Sequence, residues 1–201
     1  MHHGNGTEAP FYDSDAVLFV SLHQDGLYPL DTGGVERVGE GAGRGYNINV
    51  PLPPGSGWGA YHAAVTRIVV PALRLFKPDL VLLSAGFDAS FLDPLGRQML
   101  TAAHFGAMTA AVVAAADEVC GGRVVAAHEG GYSEIYVPFA GVETVAALAG
   151  VRSGVDDPFE KDVGSERWQA LQPHQEAAVA AAEAVLDIAL RARRGGGGGG
   201  E

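Results

Sequence analysis

Cysteine, basic residues and long apolar segments are all scarce in this chain of 201 residues. The single cysteine, Cys120, excludes an internal disulfide and a cysteine-rich zinc site. Lys and Arg number 13 against 24 Asp and Glu, and the resulting net charge of −11 argues against direct binding to nucleic acid. No segment approaches the roughly 20 apolar residues of a membrane helix, and none is typical of a signal peptide. A cytoplasmic protein is the default expectation, with the nucleus open for a eukaryotic source.

The remaining composition is that of a globular protein. Hydrophobic residues make up 47% of the chain and charged residues 18%, and this length suffices for one domain with a sizeable core. Short apolar segments predict buried strands, and longer segments with helical apolar spacing predict helices. The predicted strands are 16–22, 46–50, 80–84 and 123–127, and the predicted helices are 58–76, 101–119, 137–148 and 173–194.

Alternating strands and helices predict an α/β fold with a parallel sheet. We expect Thr101 to cap the second of these helices and Pro71 to kink the first. The segments 26–45 and 156–162 are predicted to be a surface loop and a polar connection, and 195–201 a disordered Gly-rich tail.

Polar residues follow the predicted strands at the ends where ligands bind to parallel sheets. Asp88 comes just after the third strand, where a desolvated carboxylate requires a partner or a metal. Taken alone, Asp88 is more often a turn or capping residue, Tyr132 a core-edge tyrosine and His23 a structural histidine. The opening His2-His3 pair offers imidazole ligands for a metal, or is the edge of an expression tag.

These residues fall within a series of six motifs, which occur along the chain in the order HHGNGT, SLHQDG, YNINVPLPPGSG, PDLVLLSAGFDAS, DPLGR and HEGGYSE. The series resembles the zinc-dependent histone deacetylases, and most of all the class II enzymes and the bacterial histone-deacetylase-like amidohydrolases. The resemblance extends from His2 to about Phe159. It implies a three-layer arginase/deacetylase-like fold with a mainly parallel sheet whose amino-terminal part is missing. Residues 1–159 would be a partial deacetylase domain and 160–194 a carboxyl-terminal helical extension.

The resemblance also implies roles for individual residues. His2 and Asp88 match zinc ligands, and Tyr132 matches the tyrosine that hydrogen-bonds the substrate carbonyl. The other expected site residues are those of the substrate pocket and of two structural K⁺ sites. They are Tyr28, Leu95 and Gly130 for the pocket, Ser21 and Leu22 for one K⁺ site, and Phe11, Ser14, Val17 and Tyr46 for the other.

The implied activity is zinc-dependent removal of acetyl groups from acetyl-lysine of histones or other proteins, or from small acetylated amines. The family also uses an aspartate two residues before the matched histidine and an upstream His-His pair as general base and acid, and this chain contains neither. We therefore expect the chain alone to be a poor or inactive deacetylase. The alternatives are a non-catalytic remnant that binds a partner or an acylated ligand through the half-pocket, and a generic α/β domain. A homo-oligomer is left open.

Overall fold

The computed structural model describes residues 1–164 and 166–195, and its strands form two parallel pairs. In the first pair, β1 (Phe19–Gln24) lies beside β2 (Asn47–Leu52). In the second, β3 (Val81–Ala85) lies beside β4 (Val124–His128). The predicted α/β fold with parallel strands is confirmed. Each strand begins slightly later than predicted, at the first residue that pairs with the neighbouring strand.

The long helices agree with the apolar spacing. Helix α4 (Ala102–Cys120) is capped by Thr101 as predicted and ends at Gly121, whose φ is +63°, and α5 (Val137–Leu148) has the predicted bounds. The predicted helix 58–76 contains an irregularity, but it does not arise from a break at Pro71. It consists of α2 (Trp58–Ala64), a π-helical turn (Val65–Val69) and α3 (Val70–Phe76), with Pro71 tolerated in the first turn of α3.

The remaining helices are α1 (Asn5–Glu8), α6 (Glu160–Val163), α7 (Glu166–Gln169) and α8 (Pro173–Gly195). The predicted polar connection over 156–162 includes the start of α6, a single turn with no buried residue. Of the predicted Gly-rich tail, Gly195 ends α8 and 196–201 lie outside the described residues. The division of the chain at residue 159 stays a prediction.

Two apolar clusters form the core. The larger lies under β2 and includes Ile48, Leu52 and Ile68 together with Val179 of α8, all with no exposed surface. The helix α8 therefore covers the first strand pair. The smaller cluster fills the space between α3, β3 and α4, where Cys120 is buried. Within the described residues, no helix combines the length and the apolar character needed to cross a membrane.

This arrangement brings the chain's polar residues to one end of the strands. His23 and Gln24 end β1, Asp88 follows β3, and Gly130 follows β4. The first residue lies between the two strand pairs, since the Met1 carbonyl accepts a hydrogen bond of 2.9 Å from the Gln24 amide and the Met1 ammonium contacts Asp88. The carboxyl ends of both pairs therefore surround the opening histidines.

Candidate metal centre

His2 and Asp88 meet at the centre of this end of the molecule. The Nδ1 atom of His2 lies 2.9 Å from Oδ2 of Asp88, and the Met1 ammonium donates a 2.7 Å hydrogen bond to Oδ1. The Asp88 side chain is almost wholly buried, while that of His2 is a quarter exposed. A buried carboxylate with an imidazole at its open side is the kind of pair that binds a divalent metal.

Two glycines make room for the Asp88 carboxylate. A Cβ placed on Gly130 would lie 2.1 Å from Oδ2, and one on Gly86 would lie 2.9 Å from Oδ1. The Phe87 amide donates a 2.8 Å hydrogen bond to the Gly130 carbonyl, which ties the loop after β3 to the loop after β4. The glycines of the GFD and EGGY motifs therefore shape the cradle in which Asp88 lies.

The donor pair fits zinc. Two ligands of one tetrahedral zinc ion, with bonds of about 2.0–2.1 Å, lie roughly 3.3 Å apart, so the hydrogen-bonded His2 Nδ1 and Asp88 Oδ2, now 2.9 Å apart, would have to separate slightly around the ion. Among the described residues, no group of three or more His, Cys, Asp and Glu side chains could hold a metal ion. His2 and Asp88 are therefore two candidate ligands for such an ion.

Two tyrosine rings lie beside His2. The ring centroids of Tyr28 and Tyr132 lie 6.1 and 6.2 Å from that of His2, both edge-on. Tyr28, Leu95 and Tyr132 are all exposed, Tyr28 to 69% and Tyr132 to 48%. The tyrosine rings therefore form the wall of an open site above the His2–Asp88 pair.

His3 faces away from Asp88 and belongs to a buried polar network. Its Nε2 donates to Glu8 Oε2 at 3.1 Å, and its Nδ1 is hydrogen-bonded to the Thr32 hydroxyl at 2.9 Å. Burial alone would raise the pKa of Glu8, but hydrogen bonds from Asn49, Asn47 and Arg37 outweigh it and hold that pKa below its usual value. Sequence reasoning missed Glu8, because its partners Asn47, Asn49 and Arg37 lie about 30–40 residues away along the chain.

His23 is also a structural residue. Its Nε2 donates to the Gly33 carbonyl at 3.0 Å, so in the neutral ring Nδ1 accepts from the Ser21 hydroxyl, also at 3.0 Å. Burial is the main cause that lowers the pKa of His23 to about 4. The neutral imidazole thus ties β1 to the loop that carries Tyr28.

The residues predicted for K⁺ lie on and around the first strand pair. Ser21 and Leu22 belong to β1, with Ser21 buried. The Ser14 amide donates to the Phe11 carbonyl at 3.1 Å, and the Tyr46 carbonyl accepts from Phe19 at 2.9 Å. Val17 lies in the segment that leads into β1. These positions supply backbone carbonyl oxygens, but both K⁺ sites stay predictions.

Comparison with known proteins identifies a family. The model of the histone deacetylase domain matches residues 1–148. A histone deacetylase-like amidohydrolase of Pseudomonas aeruginosa is 54% identical over 159 residues, which are 79% of this chain and 42% of that protein. A probable deacetylase of Archaeoglobus fulgidus is 45% identical over 74% of this chain and 42% of its own length.

A solved structure gives the same result at the level of the fold. The crystal structure of the HDA15 HD domain superposes with a TM-score of 0.77 and 32% identity, over 94% of this chain and 48% of that one. The chain thus spans less than half the length of the relatives it matches.

Proposed function

This chain belongs to the histone deacetylase family, and from that premise we propose that it binds zinc through His2 and Asp88 and acts on acetyl amides. The observation that carries the proposal is the 2.9 Å contact between His2 Nδ1 and Asp88 Oδ2, with the Tyr132 ring edge-on to that of His2. A zinc ion bound there supplies a Lewis acid for the amide carbonyl.

The chain's own residues have separate tasks in this reaction. The Tyr132 hydroxyl donates a hydrogen bond to the carbonyl oxygen as negative charge develops on it, an interaction worth about 3–4 kcal/mol per donor in comparable sites. Tyr28 and Leu95 contact the acyl group and its linker, and Gly130 leaves room for Asp88 and for substrate. Together they orient the amide and exclude water from one side of it.

The substrates we propose are acetyl-lysine in proteins such as histones, and small acetylated amines. Histone tails and acetylated polyamines carry positive charge on their remaining basic groups, and a chain of net charge −11 attracts cations. We also retain K⁺ as a structural ion, held by Ser21 and Leu22 at one site and by Phe11, Ser14, Val17 and Tyr46 at the other.

A second candidate function is ligand binding without turnover. The described residues supply two metal ligands, and the His3 imidazole is bound to Glu8 and Thr32, so it is not free to act as a general base. General-base catalysis contributes about 10²–10⁴-fold to rate. We therefore expect slow hydrolysis by this chain, and pocket binding alone is the limiting case.

Zinc titration of the 201-residue chain tests the proposal. We expect one zinc per chain by calorimetry and elemental analysis, and loss of that zinc in His2→Ala and Asp88→Asn. His174→Ala, which removes an exposed histidine on α8, is the matched control and should leave zinc binding unchanged. Equal zinc binding by His2→Ala and the unmodified chain would overturn the assignment.

Hydrolysis of an acetyl-lysine peptide and of an acetylated polyamine separates the two functions. We expect Tyr132→Phe to lower kcat of the zinc-loaded chain by about 10²–10³-fold. Zinc binding without any hydrolysis would favour the binding function and reject the enzyme.

A further inference from the structure

We propose that Asp93 is a positioning residue that sets the places of Tyr132 and Leu95 in the pocket. The inference rests on the proposed function, because it concerns side chains that this function places against the acyl group. Its basis is the geometry of one buried carboxylate that joins two loops.

Each oxygen of Asp93 accepts a hydrogen bond from the backbone of a different pocket residue. Oδ1 accepts from the Leu95 amide at 2.9 Å, and Oδ2 accepts from the Tyr132 amide at 2.8 Å. Asp93 is 7% exposed, and its own amide donates to the Ser90 carbonyl at 3.1 Å. Hydrogen bonds to a charged acceptor are about twice as strong as neutral ones, so the carboxylate holds both loops firmly.

The loop that carries Tyr132 has few other restraints. It follows two glycines, and the φ of Gly131 is +137°, a conformation that side chains other than glycine rarely adopt. The Tyr132 side chain is 48% exposed, so packing does little to hold it. The backbone is attached on one side by the bond from Phe87 to Gly130 and on the other by Asp93. A hydroxyl at the end of an exposed side chain can be placed accurately only if its backbone is fixed.

Asparagine at position 93 has nearly the same shape as aspartate but cannot accept both of these hydrogen bonds. An amide has one acceptor oxygen, and its NH₂ group would face one of the two backbone N–H groups. Asp93→Asn must therefore lose the bond to Leu95 or the bond to Tyr132. Asp93→Ser is the second variant, since its side chain is shorter and ends in one oxygen in place of the two that reach separate loops.

The chain offers a matched control in Asp157. Its Oδ1 accepts from the Phe159 amide two residues on, at 2.9 Å, and its Oδ2 accepts from the Tyr136 hydroxyl at 2.5 Å. Asp157 thus repeats the local bond and the distant bond of Asp93, but joins no residue of the pocket. Asp157→Asn measures what the loss of such a carboxylate does to folding alone.

The first measurement is hydrogen exchange of single amides by NMR in the full chain. We expect exchange at Tyr132, at Leu95 or at both to accelerate at least about tenfold in Asp93→Asn or Asp93→Ser. Asp157→Asn should leave both rates unchanged. Unchanged exchange at both amides in the Asp93 variants would overturn the proposal, and this measurement requires no activity.

The second measurement is a double-mutant cycle on hydrolysis of an acetyl-lysine peptide. We expect Asp93→Asn to lower kcat at least about tenfold with KM within about twofold, because the tyrosine acts in the transition state. In a Tyr132→Phe background the same change should lower kcat less than about twofold. Equal losses in the two backgrounds would make Asp93 merely structural. If the unmodified chain hydrolyses nothing, the proposed enzyme fails, and exchange at Tyr132 and Leu95 still decides the role of Asp93.

Discussion

The side-chain amide of Asn49 on β2 donates a 2.7 Å hydrogen bond to the Glu8 carboxylate on α1. Both residues are almost wholly buried, and the same carboxylate accepts from Asn47 at 3.0 Å and from Arg37 Nε at 2.6 Å. His3 is its fourth partner. The Glu8 carboxylate therefore attaches the segment that carries His2 to the first strand pair, in addition to the bond from the Gln24 amide to the Met1 carbonyl, and so links stability to the proposed metal centre.

Removal of the Glu8 charge should destabilise the fold. Glu8→Gln leaves Arg37 and two buried amides without their ionised acceptor, and we expect a loss of about 3 kcal/mol in the free energy of unfolding at pH 7. Urea denaturation measures this loss. Glu118→Gln, which removes the exposed partner of Arg74, is the control and should change stability little. A loss no larger in Glu8→Gln than in Glu118→Gln would contradict the role of Glu8.

Glu8→Gln should also change how the free energy of unfolding depends on pH below about pH 5. The pKa of Glu8 is lower in the folded protein than in the unfolded chain, so its contribution is complete above about pH 4.5. That contribution is lost as the pH falls through the folded pKa. Between pH 5 and pH 3 the unmodified chain should therefore lose more stability than Glu8→Gln. Parallel profiles would show that the carboxylate does not supply this pH dependence.

The cradle of Asp88 should tolerate no side chain. Gly130→Ala would place a Cβ 2.1 Å from Oδ2, so the carboxylate must move away from His2. We expect at least about a tenfold loss of zinc affinity, the size seen when groups that orient a ligand are disturbed. Gly6→Ala is the matched control, because a Cβ there meets nothing within 4 Å. Calorimetric titration compares the two variants, and equal affinities would show that the cradle does not position Asp88.

The sequence predicted some parts of this architecture much better than others. Local patterns located α4 with its Thr101 cap and α5 with both its ends, because apolar spacing and capping depend on neighbouring residues. They also placed Asp88 just beyond a strand, as observed, but the predicted burial of that strand was wrong, since Leu82 and Ser84 of β3 are exposed. The partners of Glu8 and of Asp93 lie far along the chain, so only the folded structure could show that these carboxylates join separate loops.

Two buried histidines should make the fold sensitive to mild acid. Burial lowers the pKa of both His23 and His104 to about 4, whereas the unfolded value is about 6.5. The unfolded chain therefore binds more protons between these values, and stability must fall as the pH falls from about 6.5 towards 4. Each histidine is expected to lower the free energy of unfolding by about 2 kcal/mol between pH 7 and pH 5.

His104→Gln isolates one of these contributions. The His104 ring accepts from the Thr101 amide at 3.0 Å at the start of α4, and glutamine can accept the same bond. Between pH 7 and pH 5, we expect the free energy of unfolding of the variant to fall by about 2 kcal/mol less than that of the unmodified chain. Urea denaturation measures both values. His62→Gln, which changes an exposed histidine, should keep the full loss. Identical losses in both variants would exclude His104 as a source of acid sensitivity.

Arg67 on the π-helical turn should hold α8 in place. Its guanidinium donates to both Glu176 oxygens at 2.8 Å and also to Glu183, about two turns further along the same face of α8. These side chains are about a third or more exposed, so solvent weakens the network, and Arg67→Ala should cost about 1 kcal/mol in unfolding free energy. The difference should shrink in about 0.5 M NaCl, because salt screens exposed charges.

The effect of Arg67 should be confined to α8, and a second arginine tests this. Arg74 on α3 forms a bidentate salt bridge with Glu118 on α4. Arg74→Ala therefore removes an ion pair that does not involve α8. Hydrogen exchange followed by mass spectrometry should show faster exchange in peptides of α8 for Arg67→Ala only. Since α8 covers the core residues Ile48 and Ile68 through Val179, faster exchange should also reach β2. Equal exchange in α8 for the two variants would mean that apolar packing alone holds this helix.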